Sequence, residues 1–319
     1  MSWSRLLRLG VAISLTAFVI YNAHPSDVLR ATTAADPRWL LAAVALVLVD
    51  RTLMALRWID LLSALTPGSR PRFSIVLRIF FVSSFVSNFV PSVAADMYRA
   101  YALARHDVRL AESTASVLMD RMLGVLSMVI VGLCALPMAR DLAVQRGLIA
   151  GLAIASAACA AGAVMVFSES AAGAAMRIVA MAPSAALRRM AAALTEAVRR
   201  YARHHAELVR VLVMSVLVQA IRVLQAWCLG EALGIQLPLV LYFAFVPVIL
   251  LIMQLPVTIN GLGTTQAAFA GFFAGSGAPA APVVALSVLF LVLGVVGSLP
   301  GGLLYALGPA PELPGAPVP

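Results

Sequence analysis

The sequence predicts an all-α protein that crosses a membrane several times. Three observations carry that reading. Hydrophobic residues fill 62% of the 319 positions and charged residues only 12%, against about 25% charged in a soluble domain. Apolar segments recur at about 6–21, 38–64, 75–104, 112–137, 147–167, 207–232, 238–276 and 283–306. Several exceed the roughly 18 apolar residues that span a bilayer as a helix. Finally, 75–104 and 238–276 are interrupted by proline, glycine and polar residues. The expected architecture is about six full transmembrane helices plus two broken or re-entrant segments, forming one domain over residues 1–308.

Each element has its own warrant. Arg5 and Arg8 precede the first apolar run, which imitates a secretory signal. No convincing small-x-small cleavage site follows, so the run reads as a retained helix. Residues 168–206 form the single long polar connection. Within it Leu187, Met190, Leu194, Val198 and Tyr201 recur at spacings of three and four, while Arg188, Arg189, Arg199, Arg200 and Arg203 fill the other face. Residues 184–206 therefore read as an amphipathic helix lying along a membrane surface. The tail at 309–319, rich in proline and alanine, is expected to be disordered.

All 23 basic residues are arginine, and the net charge is +9. In a membrane protein such an excess marks cytoplasmic loops beside anionic lipid, so no nucleic-acid partner is implied. The same rule orients the chain. If 75–104 crossed once, the basic 168–206 linker would fall outside; if it enters, turns near Pro91 and returns, every basic cluster falls inside. Re-entry is the better expectation. By parity the second broken segment enters from the opposite face, the pattern of an inverted repeat with a polar site near mid-membrane.

Pro91 removes a backbone donor, and the half-helix after it points unpaired N–H groups toward the break, an end suited to an anion. Around it lie Asn88, Asp96 and Arg99, with Asp120 and Arg121 in the next span and Arg57 in the one before. Ionisable residues at this depth cost about 2.5–3.5 kcal/mol each, so they are functional candidates by default. Asp96 and Arg99, three apart on one helix face, could pair directly. These groups either neutralise one another between helices or line a path for an anion. Arg222 lies deep in the 207–232 span. Asp50, Arg51 and Arg78 could sit near a surface, where long side chains snorkel. The second break offers Gln254, Pro256, Asn260, Gly261, Gly263 and Gln266. Two GxxxG matches, Gly147/Gly151 and Gly271/Gly275, read as close helix packing.

No enzyme signature, metal-ligand spacing or cofactor motif emerges. The four histidines lie in polar segments, and Cys134, Cys159 and Cys228 form no CxxC pair.

The runs RW at 57–58, NFVPSVAADMYRAYAL at 88–103, SVLMDR at 116–121 and LPVTINGLGTTQ at 255–266 resemble the lysylphosphatidylglycerol synthase transmembrane, or flippase-like, family over roughly residues 6–306. The resemblance implies a multi-helix module of the bacterial inner membrane that moves or presents lipids. It implies no aminoacyl transfer, since the family's soluble catalytic domain has no counterpart here. It also carries over Pro91, Asp96 and Arg99, the Asp120–Arg121 pair, and Pro256, Gly261 and Gly263. Two departures stand out: Ala94 and Ala95 replace usual glycines, and Gln266 replaces a common glutamate. The implied partners are membrane lipids: an anionic phospholipid, a polyprenyl-phosphate-linked lipid or a hopanoid. A lipid-modifying enzyme or glycosyltransferase is a further implied partner. Arg99 and Arg121 would hold a lipid phosphate while Asp96 and Asp120 orient them. A transporter of a soluble anion and a non-transporting membrane partner remain as alternatives.

Overall fold

The structure, a computed structural model, describes residues 33–65, 72–90, 92–106, 108–135, 146–168, 170, 173–174, 177, 185–254, 264–273 and 276–307. Among these the regular structure is helical: α1 (Pro37–Leu65), α2 (Phe73–Val86), α3 (Ser92–Ala104), α4 (Leu110–Ala135), α5 (Arg146–Phe167), α6 (Ala185–Arg200), α7 (His205–Ala232), α8 (Leu239–Gln254), α9 (Thr264–Phe273) and α10 (Ala280–Leu307). The predicted first helix and the 309–319 tail lie outside the described residues. α1, α4 and most of α10 are long and apolar enough to cross a membrane. The outer surface suits lipid: Leu41, Ile154, Leu303 and Leu307 are at least 60% exposed, and Val209, Val213 and Leu217 form an exposed stripe on α7. This is an all-α, multi-pass membrane protein.

α1 and α7 lie antiparallel along their whole length. The Asp36 N–H donates to Ala232 O at 3.0 Å at one end. Trp39 packs edge-on against Trp227 nearby, and Asp60 meets Arg210 at 3.2 Å at the other end. α7 stops where Gly234 takes a φ of 71° and the Ile235 N–H bonds Gly230 O at 2.9 Å, the left-handed turn that closes many helices.

Both interrupted segments are hairpins. Their arms, 10 to 16 residues long, rise only about 15–24 Å, short of a ~30 Å hydrocarbon core. Val76, Ile79 and Phe80, early in α2, share a core with Ala100 and Leu103, late in α3, so the chain has doubled back. In the second segment Tyr242, early in α8, packs against Phe273 at the end of α9 with ring centroids 5.3 Å apart. The end of α2 is built locally: Asn88 Nδ2 donates to Phe85 O at 3.1 Å and Ser87 Oγ donates to Ser84 O at 2.7 Å, capping carbonyls the finished helix leaves open.

The packing repeats itself. Exchanging α1 with α7, α2 with α8, α3 with α9 and α4 with α10 maps the contacts among these eight helices onto themselves, α5 and α6 standing outside the exchange. The α2–α10 contact becomes α8–α4, α3–α4 becomes α9–α10, and α1–α10 becomes α7–α4, with α1–α7 its own counterpart. Because α1 and α7 run oppositely, the exchange also inverts direction. The inverted repeat suggested by the two breaks is thus present in the packing.

Two local expectations change. The amphipathic helix, α6, does not lay its apolar face on lipid: Ala197 and Tyr201 are buried, and Leu194 and Val198 pack with them, against Leu61, Ala115, Met119 and Val211. Protein covers the described, C-terminal half of that face. Of the predicted GxxxG pairs, a Cβ added at Gly151 would lie 3.1 Å from Val248, but Gly271 faces open space and Gly275 lies outside the described residues. The close crossing comes from a GxxxG not singled out above, Gly297/Gly301 on α10. A Cβ at Gly301 would overlap the Phe81 carbonyl, and one at Gly297 would lie 2.6 Å from Val47.

Candidate functional site

Polar side chains from α1, α4 and α7 meet both hairpins around a cavity of about 300 Å³. The first hairpin supplies Ser87, Asn88, Asp96 and Arg99, and the second supplies Met253 and Gln254. Asp120 lies ten residues inside the start of α4 and fifteen before its end, so roughly 15 and 22 Å of helix flank it. These charges are central, not peripheral.

The Asp96–Arg99 pair that their spacing allows does not form. Residues three apart on a helix diverge by about 60°, enough to send each to a different partner on α4. Arg99 Nη2 donates to Asp120 Oδ2 at 2.9 Å while its guanidinium lies 4.6 Å from the centre of the Trp58 ring. Asp96 Oδ2 instead accepts from Arg121 Nε at 2.6 Å. Asp120 has a second arginine: Arg57 Nη2 lies 2.6 Å from Oδ1, an ion contact without hydrogen-bond alignment, while Arg57 Nη1 donates to Ser215 Oγ at 3.0 Å. Arg121 Nη1 also reaches Gln254 Oε1 at 3.4 Å, joining α4 to the second hairpin.

Asp50 and Arg51 lie deep, not at a surface. Asp50 is buried and accepts from Arg222 Nε at 3.0 Å. Arg51 lines the same cavity, and among the described residues it forms no ion pair. Its Nη2 makes a long 3.4 Å contact with Gly294 O, and its Nε has no hydrogen-bond partner. Five guanidinium groups (Arg51, Arg57, Arg99, Arg121, Arg222) thus face three carboxylates (Asp50, Asp96, Asp120) across one cavity. One surplus charge sits where Arg57 and Arg99 share Asp120, the other on Arg51. Such an enclosed surplus favours an anion.

Of the other predicted residues, Asn88 donates from Nδ2 to Ser298 Oγ at 2.7 Å and so fixes the first break to α10. Gln254 Nε2 also contacts Met128 Sδ at 3.2 Å. Gln266 is half-buried on α9 and is not among the cavity's lining residues. Pro91, Pro256, Asn260, Gly261 and Gly263 lie outside the described residues. On α6, Arg188 and Arg189 are exposed and Arg199 partly so, while Arg203, just beyond its end, is exposed, and Arg200 is tied to Glu112 at 2.6 Å. That arginine anchors the helix to α4.

Sequence reading missed Gln219 and Gln225, two uncharged polar members of the cavity. With Ser215 and Arg222 they recur at spacings of four, three and three on α7. That is one polar stripe on an apolar helix, and it could have been read.

No curated protein and no solved structure matches the chain. Residues 5–301 match the family described as lysylphosphatidylglycerol synthase TM region. That match spans the helices, both hairpins and the charged cavity between them, and the chain belongs to this family, whose membrane region is associated with lipid handling.

Proposed function

We propose that the protein translocates, or presents to the opposite leaflet, a lipid with an anionic, phosphate-bearing head group. The observation that carries this reading is the cavity with two surplus positive charges, bounded by both broken segments. Hairpin arms too short to span leave irregular backbone at membrane depth, which is tolerated only where it lines protein or a wet cavity. A volume of about 300 Å³ holds a head group and not acyl chains, so the chains stay in lipid while the polar end moves through protein.

Drawing a phosphate into low dielectric is costly unless it is paired, and arginine provides the strongest such pairing. Arg121 is the accessible partner: its side chain is 37% exposed and held by one carboxylate. It exchanges Asp96 for the lipid phosphate, while Arg57 and Arg99, locked on Asp120, supply attraction without moving. The basic connection before α7 belongs on the cytoplasmic side of a bacterial inner membrane. Equilibration down a lipid gradient needs no energy source. No catalytic step is assigned. The lipid is a phospholipid, a polyprenyl-phosphate conjugate or a phosphate-bearing hopanoid, delivered by a lipid-modifying enzyme or a glycosyltransferase.

The test is a leaflet-sidedness assay in reconstituted vesicles with fluorescent phosphatidylglycerol and phosphatidylcholine. The wild type should move phosphatidylglycerol faster than protein-free vesicles do, and Arg121→Ala should slow it roughly ten-fold or more, the value of one charge-assisted hydrogen bond. Equal rates for wild type and variant would remove the mechanism. Passage of soluble glycerophosphate in place of lipid would make the protein a solute transporter. Full cellular function in Arg121→Ala, with loss on disrupting α6, would make it a non-transporting partner.

A further inference from the structure

Gln219 and Gln225 are 1% and 4% exposed, yet Gln219 Oε1 and Gln225 Nε2 have no hydrogen-bond partner. Both line the cavity, and so does Arg51, whose Nε is also unpartnered. Burying an amide atom without a partner is unfavourable, and native proteins rarely leave such groups unmatched. All three line one charged cavity, with Gln219 and Gln225 on either side of Arg222 on α7, and together they make a built site. Arg51 lies six residues from Arg57 on α1, about 9 Å along the axis. Arg51 is therefore set apart from Arg57.

The chemistry of the orphans is specific. Arg51 Nε and Gln225 Nε2 donate, whereas Gln219 Oε1 accepts. A phosphodiester oxygen only accepts, so phosphate alone leaves Gln219 unsatisfied. A hydroxyl both donates and accepts. We propose that Arg51, Gln219 and Gln225 form a hydroxyl-recognition subsite, selecting phosphate-bearing head groups that carry a polyol or sugar. The inference rests on the lipid-handling reading above and adds the class of head group. Glycerol on a phospholipid and sugar on a prenyl phosphate present the same chemistry.

The experiment measures binding by the full-length protein in detergent, through ligand-induced thermal stabilisation. The probes are short-chain phosphatidylglycerol, phosphatidylmethanol and a short-chain prenyl phosphoglucose. The first two are both singly charged diesters, but only phosphatidylglycerol has free hydroxyls. The wild type should bind phosphatidylglycerol or the phosphoglucose roughly ten-fold more tightly than phosphatidylmethanol, the worth of one or two satisfied hydrogen bonds. The tighter of the two identifies the source of the hydroxyls. Gln219→Met/Gln225→Met, nearly isosteric, should abolish the preference yet leave phosphatidylmethanol binding and the unliganded melting temperature unchanged or higher, because it removes unsatisfied groups. Equal binding of all three probes by the wild type overturns the subsite and leaves the anionic-lipid reading standing, as does a preference that survives the double variant. A fall in unliganded stability with the preference intact assigns the glutamines a structural role and also overturns it. Failure of every probe to bind overturns both.

Discussion

Two carboxylates on the same pair of packed helices have opposite surroundings. Asp120 on α4 is held by two arginines, and the three side chains are only 4–6% exposed. Asp96 on α3 has one arginine, and that pair is 22% and 37% exposed. Each contact is short, so distance does not distinguish them. Burial and stoichiometry do. A sealed carboxylate shared by two guanidinium groups is an architectural clamp that leaves one positive charge over. A neutral pair facing a cavity is a contact that a ligand can enter. The difference teaches that the charges in the membrane-depth stretches of this sequence divide into those that hold the cavity and those that can meet its contents.

Removing Asp120 tests the clamp and carries the largest expected effect. Asp120→Ala leaves Arg57 and Arg99 buried without their carboxylate, which should cost about 3–5 kcal/mol, read as a large fall in resistance to denaturant in detergent. Asp120→Asn keeps the shape but not the charge and should recover only part of the loss. A variant as stable as the wild type would mean that water reaches the clamp, and the contrast with Asp96 would collapse.

The contrast was partly legible in the sequence. The polytopic helical class, the two breaks and the residues of both ion pairs could be read from composition, from Pro91 and Pro256, and from acids and arginines at membrane depth. The pairing could not. Spacing along one helix allowed Asp96 to pair with Arg99, whereas the partner of each is set by the angular position of α4 against α3, which no local pattern encodes. Proline alone was also an uneven guide, since α8 contains Pro247 and α10 contains Pro300, whereas α2 ends at Val86 with Ser87 and Asn88 capping it. The α6 stripe was correctly seen as amphipathic, but periodicity states only that a face is apolar. Whether lipid or protein covers it depends on the ends of α1, α4 and α7. Gln219 and Gln225 carry no charge to mark them at membrane depth, and their significance lies in missing partners visible only in three dimensions.

A smaller effect sharpens the comparison by asking what seals the clamp. Tyr201 is fully buried, lies within electrostatic reach of Asp120, and donates to Leu61 O at 2.9 Å. It closes the end of the bundle beneath α1 and α4. Tyr201→Phe should lose about 1 kcal/mol, one net hydrogen bond. Burial also pushes the Tyr201 phenol above its ordinary value. The folded state therefore favours the protonated form, and the stability it contributes is present below the free tyrosine pKa of about 10 and declines as pH rises beyond it. Denaturation curves of wild type and Tyr201→Phe should differ by a constant amount below that pH and converge above it. Parallel curves through pH 11 would show that Tyr201 is solvated and that the seal lies elsewhere.

The smallest effect on stability falls on the pair that matters most for function. In a double-mutant cycle, Asp96→Ala and Arg121→Ala should show a coupling of about 1 kcal/mol or less, the range for partly exposed pairs. The cycle for Arg99 and Asp120 should give several times that, because each single change strands a buried charge. The two cycles probe helices in the same contact, so differences in folding background largely cancel. Comparable coupling in both would mean that Asp96 grips Arg121 too firmly to yield it, and the phosphate would have to be met by Arg51. Weak coupling at Asp96, with loss of lipid movement in Arg121→Ala, would instead give the two carboxylates on this helix pair the separate tasks their surroundings imply.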